Sequence, residues 1–126
     1  MSEITFPDAV RGVINCSSKP MDGVKVKIGP LTDTPEGAVL KISWQGFSDS
    51  EGQTPIPGAN TSLNHFVTPG DVANGLEKTI GDWIPHIKPI KNGSARVTYT
   101  INGGGGNTAS VLVRLLNASN QSCDEV

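Results

Sequence analysis

The stretch Ala95-Arg96-Val97-Thr98-Tyr99-Thr100-Ile101 alternates between apolar and polar side chains at every step. Successive side chains of a β-strand point to opposite faces, so this period of two predicts a strand with one buried and one solvated face. The apolar set, predicted to face a core, comprises Ala95, Val97, Tyr99 and Ile101. The pattern is typical of an antiparallel sheet that is covered on one side only.

Similar segments on both sides of this stretch predict about seven strands in all. In Val39–Phe47 (VLKISWQGF), the side chains of Leu40, Ile42 and Trp44 share one face. In Val24–Ile28 (VKVKI), apolar residues alternate with lysines. The remaining candidate strands are 10–15, 63–68, 77–80 and 111–115.

Glycine and proline supply the turns between these strands. The 126 residues include 15 Gly and 9 Pro without a regular repeat, which excludes a helix bundle and a collagen-like chain. Because Pro fixes φ and Gly tolerates positive φ, clusters of these residues predict turns. Such clusters occur at 29–30, 34–37, 55–58, 69–71, 92–93 and 102–106. The sequence therefore predicts an all-β, two-sheet protein, with room for one helical turn at 69–76.

Several segments, taken in order, resemble bacterial immunoglobulin-like repeats. They are 21–28 (MDGVKVKI), 39–46 (VLKISWQG), 84–90, 92–101 (NGSARVTYTI) and 109–115 (ASVLVRL). The resemblance implies an immunoglobulin-like, two-sheet antiparallel β-sandwich of about seven strands. It also implies a bacterial cell-surface or secreted, adhesin-like setting, where such repeats serve as rigid spacers or binding modules.

The chain is expected to form one domain with an appendage at each end. Its length is that of a single domain. The sandwich is predicted over 20–116, and 1–19 are predicted to form an N-terminal extension that includes a first edge strand. The polar segment 117–126 (NASNQSCDEV) is predicted to be a flexible tail.

The charge pattern argues against two classes of partner. Twelve acidic and ten basic residues are mixed along the chain, whereas a nucleic-acid binder needs a basic excess on one face. No apolar run approaches the roughly 20 residues that span a bilayer. We therefore predict neither nucleic-acid binding nor membrane insertion. The first nine residues do not resemble a signal peptide, so the cytoplasm and signal-independent export stay open beside the extracellular setting.

Two cysteines and two histidines are the candidate residues for covalent or metal chemistry. Cys16 and Cys123 either form a disulfide or stay as free thiols, and the absence of a signal peptide favours thiols. His65 and His86 lack carboxylates at ligand spacing, so no metal site is predicted. The acidic loop 48–52 has two carboxylates, too few for the six to eight oxygens of a calcium site, so calcium is disfavoured and no cofactor is predicted.

The candidate ligand-binding residues lie in loops. Trp83, next to Asp82, sits at a predicted strand end, where an indole either stacks on a sugar or anchors a protein, or plugs the end of the sandwich. The acidic loop supplies carboxylates, and the predicted hairpin loop at 102–107 exposes bare backbone. The candidates in these two loops are Asp49, Glu51, Gly104 and Gly105.

Catalysis is not predicted, because no Gly-x-Ser-x-Gly motif or preassembled nucleophile and base occurs. The first hypothesis is a non-enzymatic binding module that holds carbohydrate or protein with loops at one end of the sandwich. The alternative is a structural or assembly subunit, a spacer or a tail- or surface-associated protein, that oligomerises through strand edges.

Overall fold

A computed structural model describes residues 3–32 and 34–125, and these residues form two β-sheets. The strands are β1 (Ile4–Thr5), β2 (Val13–Ile14), β3 (Val24–Ile28), β4 (Val39–Phe47), β5 (Pro55–Phe66), β6 (Leu76–Ile80), β7 (Asn92–Ile101) and β8 (Gly106–Arg114). One sheet has the order β1-β3-β6 and the other the order β2-β8-β7-β4-β5. The prediction of a mainly-β protein with two sheets is confirmed.

The central strands β4 and β7 bury the faces that their alternation predicts. Leu40, Ile42 and Trp44 of β4 are at most 1% exposed, and Trp44 lies opposite Val97 of β7. One apolar cluster joins these residues to side chains of the other sheet, such as Val26 of β3. The two sheets therefore pack as the layers of a sandwich-like fold around a shared core.

The strand pairing corrects one detail of the prediction. The described residues form eight strands where about seven were expected, but these strands are not all antiparallel, because β2 pairs with β8 in the parallel sense. β1 joins the three-stranded sheet, whereas β2 joins the five-stranded one. The described residues before position 20 therefore contribute a strand to each sheet, which makes them part of the sandwich.

β5 departs furthest from the sequence-based expectation. A turn was expected at 55–58, yet Pro55 already pairs with Phe47 of β4. The register shifts between Gln45 and Phe47, and Gly58 has a φ of 82° that suits glycine. Proline is tolerated here because β5 is an edge strand. The cluster of turn residues thus marks an irregular edge strand.

Helical structure is confined to short connections among the described residues. The one α-helix, α1 (Pro69–Asn74), is the helical turn that the sequence predicts. The hydroxyl of Thr68 accepts a hydrogen bond from the Asp71 amide, and the Asp71 carboxylate accepts one from the Thr68 amide, which caps the helix. A π-helical turn (Trp83–Ile87) and a 3-10 turn (Lys88–Ile90) follow β6, and neither was predicted. No described helix has the length and apolar character that crossing a membrane requires.

The C-terminal tail, 117–125 of the described chain, is anchored to the sandwich. A disulfide joins Cys123 to Cys16, which lies two residues after the end of β2. Ser122 is buried, and its hydroxyl, which has one proton to donate, lies within hydrogen-bond distance of the carboxylates of Asp124 and Glu125. Of the two alternatives for the cysteines, the structure has the disulfide. That the tail is flexible between these ties stays a prediction.

Candidate functional site

The predicted binding loops lie at opposite ends of the five-stranded sheet. The acidic loop with Asp49 and Glu51 joins β4 to β5 and lies beside the first residues of β7. The hairpin loop with Gly104 and Gly105 lies beyond the last residue of β7. Ten residues of strand separate the two loops by roughly 30 Å, at about 3.3 Å per residue. These two loops therefore do not form one cluster, and binding through loops at one end of the sandwich stays a prediction.

Trp83 is a plug rather than a rim platform. The residue is only 9% exposed, and its indole Nε1 donates to Oδ2 of Asp124 at 2.9 Å. Lys88 Nζ donates to the same oxygen at 3.0 Å. These two hydrogen bonds lower the pKa of Asp124 to about 2. Of the two interpretations offered for Trp83, the structure has the plug, while Asp82 beside it stays exposed.

The acidic loop is docked on the sheet, and its Asp49 carboxylate is bonded within the loop. The Asp49 carboxylate accepts hydrogen bonds from the amides of Thr54 at 2.9 Å and Gln53 at 3.0 Å. The bond from Thr54 is the largest cause of the lowered pKa of Asp49. Arg96 of β7 donates to the carbonyl of Gly52 at 3.1 Å, which docks the loop on the sheet.

The geometry of the described residues offers no ready metal site. No group of three His, Cys, Asp or Glu among them is placed to hold an ion. His65 Nε2 lies 2.6 Å from Asp71 Oδ2, and His86 Nδ1 accepts from the Asp82 amide at 2.8 Å. Both histidines therefore have structural partners. That the protein uses no cofactor or calcium stays a prediction.

The outer face of the five-stranded sheet carries a cleft that the sequence analysis did not single out. This shallow cleft of about 360 Å³ lies over β4, β5 and β7. Its polar lining consists of Lys41, Ser43, Gln45, Asn60, Thr61, Ser62, Arg96 and Thr98. Directly opposite residues of antiparallel strands share a face, so Ser43 lies in a row with Ser62 on one side and Thr98 on the other. The polar residues at the outward-facing positions of the predicted strands were the sequence signal for this surface.

Arg96 holds one end of this cleft. Its guanidinium carbon lies 4.7 Å from the centroid of the Phe47 ring, a cation–π distance. One of its nitrogens, Nη2, donates to Gly52, which leaves most of the five guanidinium N–H groups without a bond to a described residue. Arg96 is therefore positioned by its neighbours and still has donors for a ligand.

Charge is unevenly distributed between the strands of the larger sheet and the rest of the chain, although acids and bases are mixed along the sequence. The five strands of the larger sheet, all of whose residues are described, contain no Asp or Glu and three cations, Lys41, Arg96 and Arg114. The rest of the chain has the other seven basic residues and all 12 acidic ones, a formal charge of -5 against +3. The outer face of this sheet is therefore weakly cationic on an acidic protein.

The edge of the same sheet is open along β5. β5 is the last strand in its sheet and has 12 residues, of which His65 alone is ionisable. Its first half contains Pro55 and Pro57, which block pairing, but Ala59–Phe66 contains no proline, lysine or carboxylate. Phe66 is 69% exposed at the end of this segment. These are the properties of an edge that can accept another strand.

Comparison of the chain with protein-family models, curated proteins and solved structures finds no significant match. The two features that carry functional information are therefore the open β5 edge and the polar cleft beside it.

Proposed function

We propose that the protein is an immunoglobulin-like module that acts by association rather than by catalysis. Two features support the immunoglobulin-like topology. The orders β1-β3-β6 and β8-β7-β4-β5 can be matched to strands A-B-E and G-F-C-C′ of a variable-type domain, and the buried Trp44 lies on the strand matched to C. The disulfide departs from antibody domains, since it joins the segment after β2 to the tail.

The observation that carries the proposal is the uncharged second half of β5. An edge strand presents unpaired N–H and C=O groups, and proteins usually protect such edges with lysine, proline or short strands. The other edge strands follow that rule: β1 and β2 have two residues each, and β6 (LEKTI) carries Glu77 and Lys78. Ala59–Phe66 lacks this protection, which favours strand addition.

The partner that best fits this edge is a second copy of the same chain. A two-fold axis through β5 would pair the strand with itself and extend the sheet to ten strands. Such symmetry brings each charge of the strand near its own copy, so an uncharged strand suits it. His65, the one ionisable residue, already contacts the carboxylate of Asp71. Self-association through β5 thus has no electrostatic penalty from the strand itself.

The disulfide supports an oxidising setting for this assembly. Structural disulfides persist outside the cytosol and are rare within it. This agrees with the bacterial surface or secreted setting implied by the resemblance of the sequence. We therefore propose a structural or assembly subunit in such a setting.

The oligomeric state tests the proposal. Light scattering after gel filtration is expected to give twice the 13.2 kDa of one chain. The double variant Ser62→Lys/Asn64→Lys places like charges along the symmetric edge and is expected to be monomeric.

A matched variant controls for added charge. Thr108→Lys/Ser110→Lys adds two lysines to β8, an interior strand of the same sheet, and is expected to stay dimeric. A monomeric wild type at all concentrations, or a β5 variant that stays dimeric, would contradict the proposal.

A further inference from the structure

We infer that the outer face of β4, β5 and β7 binds an extended acidic glycan, whose carboxylates pair with Lys41 and Arg96. This inference concerns the cleft on the sheet face and does not depend on pairing at the β5 edge. It rests on three properties of the cleft: its charge, its polar lining and the absence of an open aromatic ring.

The charge of the cleft selects an anion. Lys41 and Arg96 stand at its two ends, and no Asp or Glu lines it among the described residues. In the acidic loop, which Arg96 contacts at Gly52, the carboxylate of Asp49 accepts hydrogen bonds from the backbone amides of Thr54 and Gln53. An exposed cation gains most from a partner carboxylate when no internal acid competes for it.

The lining between the cations selects hydroxyl-rich ligands. Ser43, Ser62 and Thr98 form a row across three strands. The next row on the same face, towards Arg96, contains Gln45 and Asn60. Hydroxyl and amide groups both donate and accept hydrogen bonds, as sugar hydroxyls do. The spacing fits an oligomer, because Lys41 and Arg96 occupy positions four residues apart along the strands, about 13 Å at 3.3 Å per residue.

The buried aromatic rings argue against two other ligands. Trp44 and Phe47 border the cleft but are 1% and 5% exposed. Single-stranded nucleic acids bind by stacking bases on open aromatic rings, and their phosphates demand more than two cations. Neutral sugars that rely on ring stacking are disfavoured for the same reason. The exposed ring of Phe66 lies one row beyond Lys41 on the outer face of β5 and does not line the cleft, so the cleft itself offers charge and hydrogen bonding.

The test uses trigalacturonic acid and its fully methyl-esterified form as probes. The two share a sugar backbone, but the ester has no negative charge. With ¹⁵N-labelled wild type, the acid is expected to shift backbone amide signals of β4, β5 and β7, with those of β3 and β6 unchanged. The ester is expected to bind at least about fivefold more weakly, the effect of losing charge-assisted contacts.

Two lysine variants distinguish binding at this face from a general effect of the protein's positive charge. Lys41→Gln is expected to weaken binding of the acid about fivefold, whereas Lys27→Gln removes the same charge from the outer face of β3 and is expected to change it less than twofold. Arg96→Gln should weaken binding further, and its melting temperature must be followed because Arg96 also braces the acidic loop.

Three outcomes would overturn the inference. The first is the absence of shifts on the sheet face with the acid. The second is an equal loss in Lys27→Gln and Lys41→Gln. The third is equal or tighter binding of a short single-stranded DNA at the same face, which would show a general preference for polyanions.

Discussion

At one edge of the five-stranded sheet, the two-residue β2 pairs with β8, and the disulfide between Cys16 and Cys123 lies two residues beyond the end of β2. At the other edge, β5 runs for 12 residues, and no described strand lies beyond it. The chain thus closes the first edge with its own tail and a covalent bond. It leaves the second half of the other edge strand, Ala59–Phe66, without lysine, proline or carboxylate. From this difference we expect the β2 side to contribute stability and the β5 side to mediate the proposed association.

Loss of the disulfide is expected to have the largest effect on stability. The bond closes a loop with a sequence separation of 107. Cys16→Ser/Cys123→Ser should therefore lower the free energy of unfolding by roughly 4 to 5 kcal/mol in the chain-entropy description. Urea unfolding measures this loss, and reduced wild type should match the variant. A loss below about 1 kcal/mol would mean that the tail hardly secures the β2 side.

Truncation of the plug ranks next. Trp83→Ala removes a buried indole and should cost about 3 to 5 kcal/mol of unfolding free energy, as large-to-small core changes do. Its neighbour Ile84 is 64% exposed, so Ile84→Ala should stay within about 0.5 kcal/mol of wild type. Equal melting temperatures for the two variants would show that the indole does not close this end of the molecule.

Acid should weaken the tail contact before it affects the β5 edge. The folded-state pKa of Asp124 is about 2, below its ordinary 3.8, because Trp83 and Lys88 donate to its carboxylate. A lowered folded pKa contributes stability above the ordinary value, and that stability is lost as the pH falls from 3.8 towards 2. Hydrogen exchange of the Trp83 indole N–H should therefore accelerate across this window.

The control for this pH effect is Asp124→Asn. In this variant, the exchange rate of the Trp83 indole N–H should follow mainly the intrinsic pH dependence of the exchange reaction itself. The pKa values of Asp49, Asp71 and Glu125 are also lowered, so global unfolding by acid is expected to persist in the variant. Identical indole exchange profiles for variant and wild type would exclude Asp124 as the titrating group.

The smallest effect on stability is expected on the β5 side. Phe66 is 69% exposed, so Phe66→Ser should change the unfolding free energy of the monomer by no more than about 0.5 kcal/mol. The same change should raise the dimer dissociation constant, since it removes apolar surface at the pairing edge. A destabilised monomer with an unchanged dimer dissociation constant would contradict the proposal that the β5 edge serves association and not stability.

The strands could be predicted wherever one face is buried and the other is solvated. β4 was predicted with the bounds it has, because Leu40, Ile42 and Trp44 all face the core. The same signal is weak in β5, whose inward residues Thr61 and Leu63 are only half-buried and whose first residues include two prolines. An edge strand pairs with one neighbouring strand only, and its two faces differ less in burial. The alternation of apolar and polar residues therefore predicts its bounds poorly.

The candidate site was harder to predict because it depends on contacts that are distant in sequence. Trp83 looks like a rim residue from its neighbours, and the partner that covers it, Asp124, lies 41 residues away. The distance between the acidic loop and the glycine hairpin follows from the antiparallel pairing of β4 and β7, which period-two patterns do not reveal. The charge of the larger sheet likewise emerges only after strands are assigned to sheets.

The most direct test of the difference between the edges is a dilution series of ¹⁵N-labelled wild type, followed by amide chemical shifts. We expect concentration-dependent shifts to concentrate at Ala59–Phe66, with the amides of Val13–Ile14 and of Val24–Ile28 unchanged. Shifts centred on β2 or β3, or no shifts over the range in which light scattering detects dimer, would contradict the claim that β5 is the edge of association.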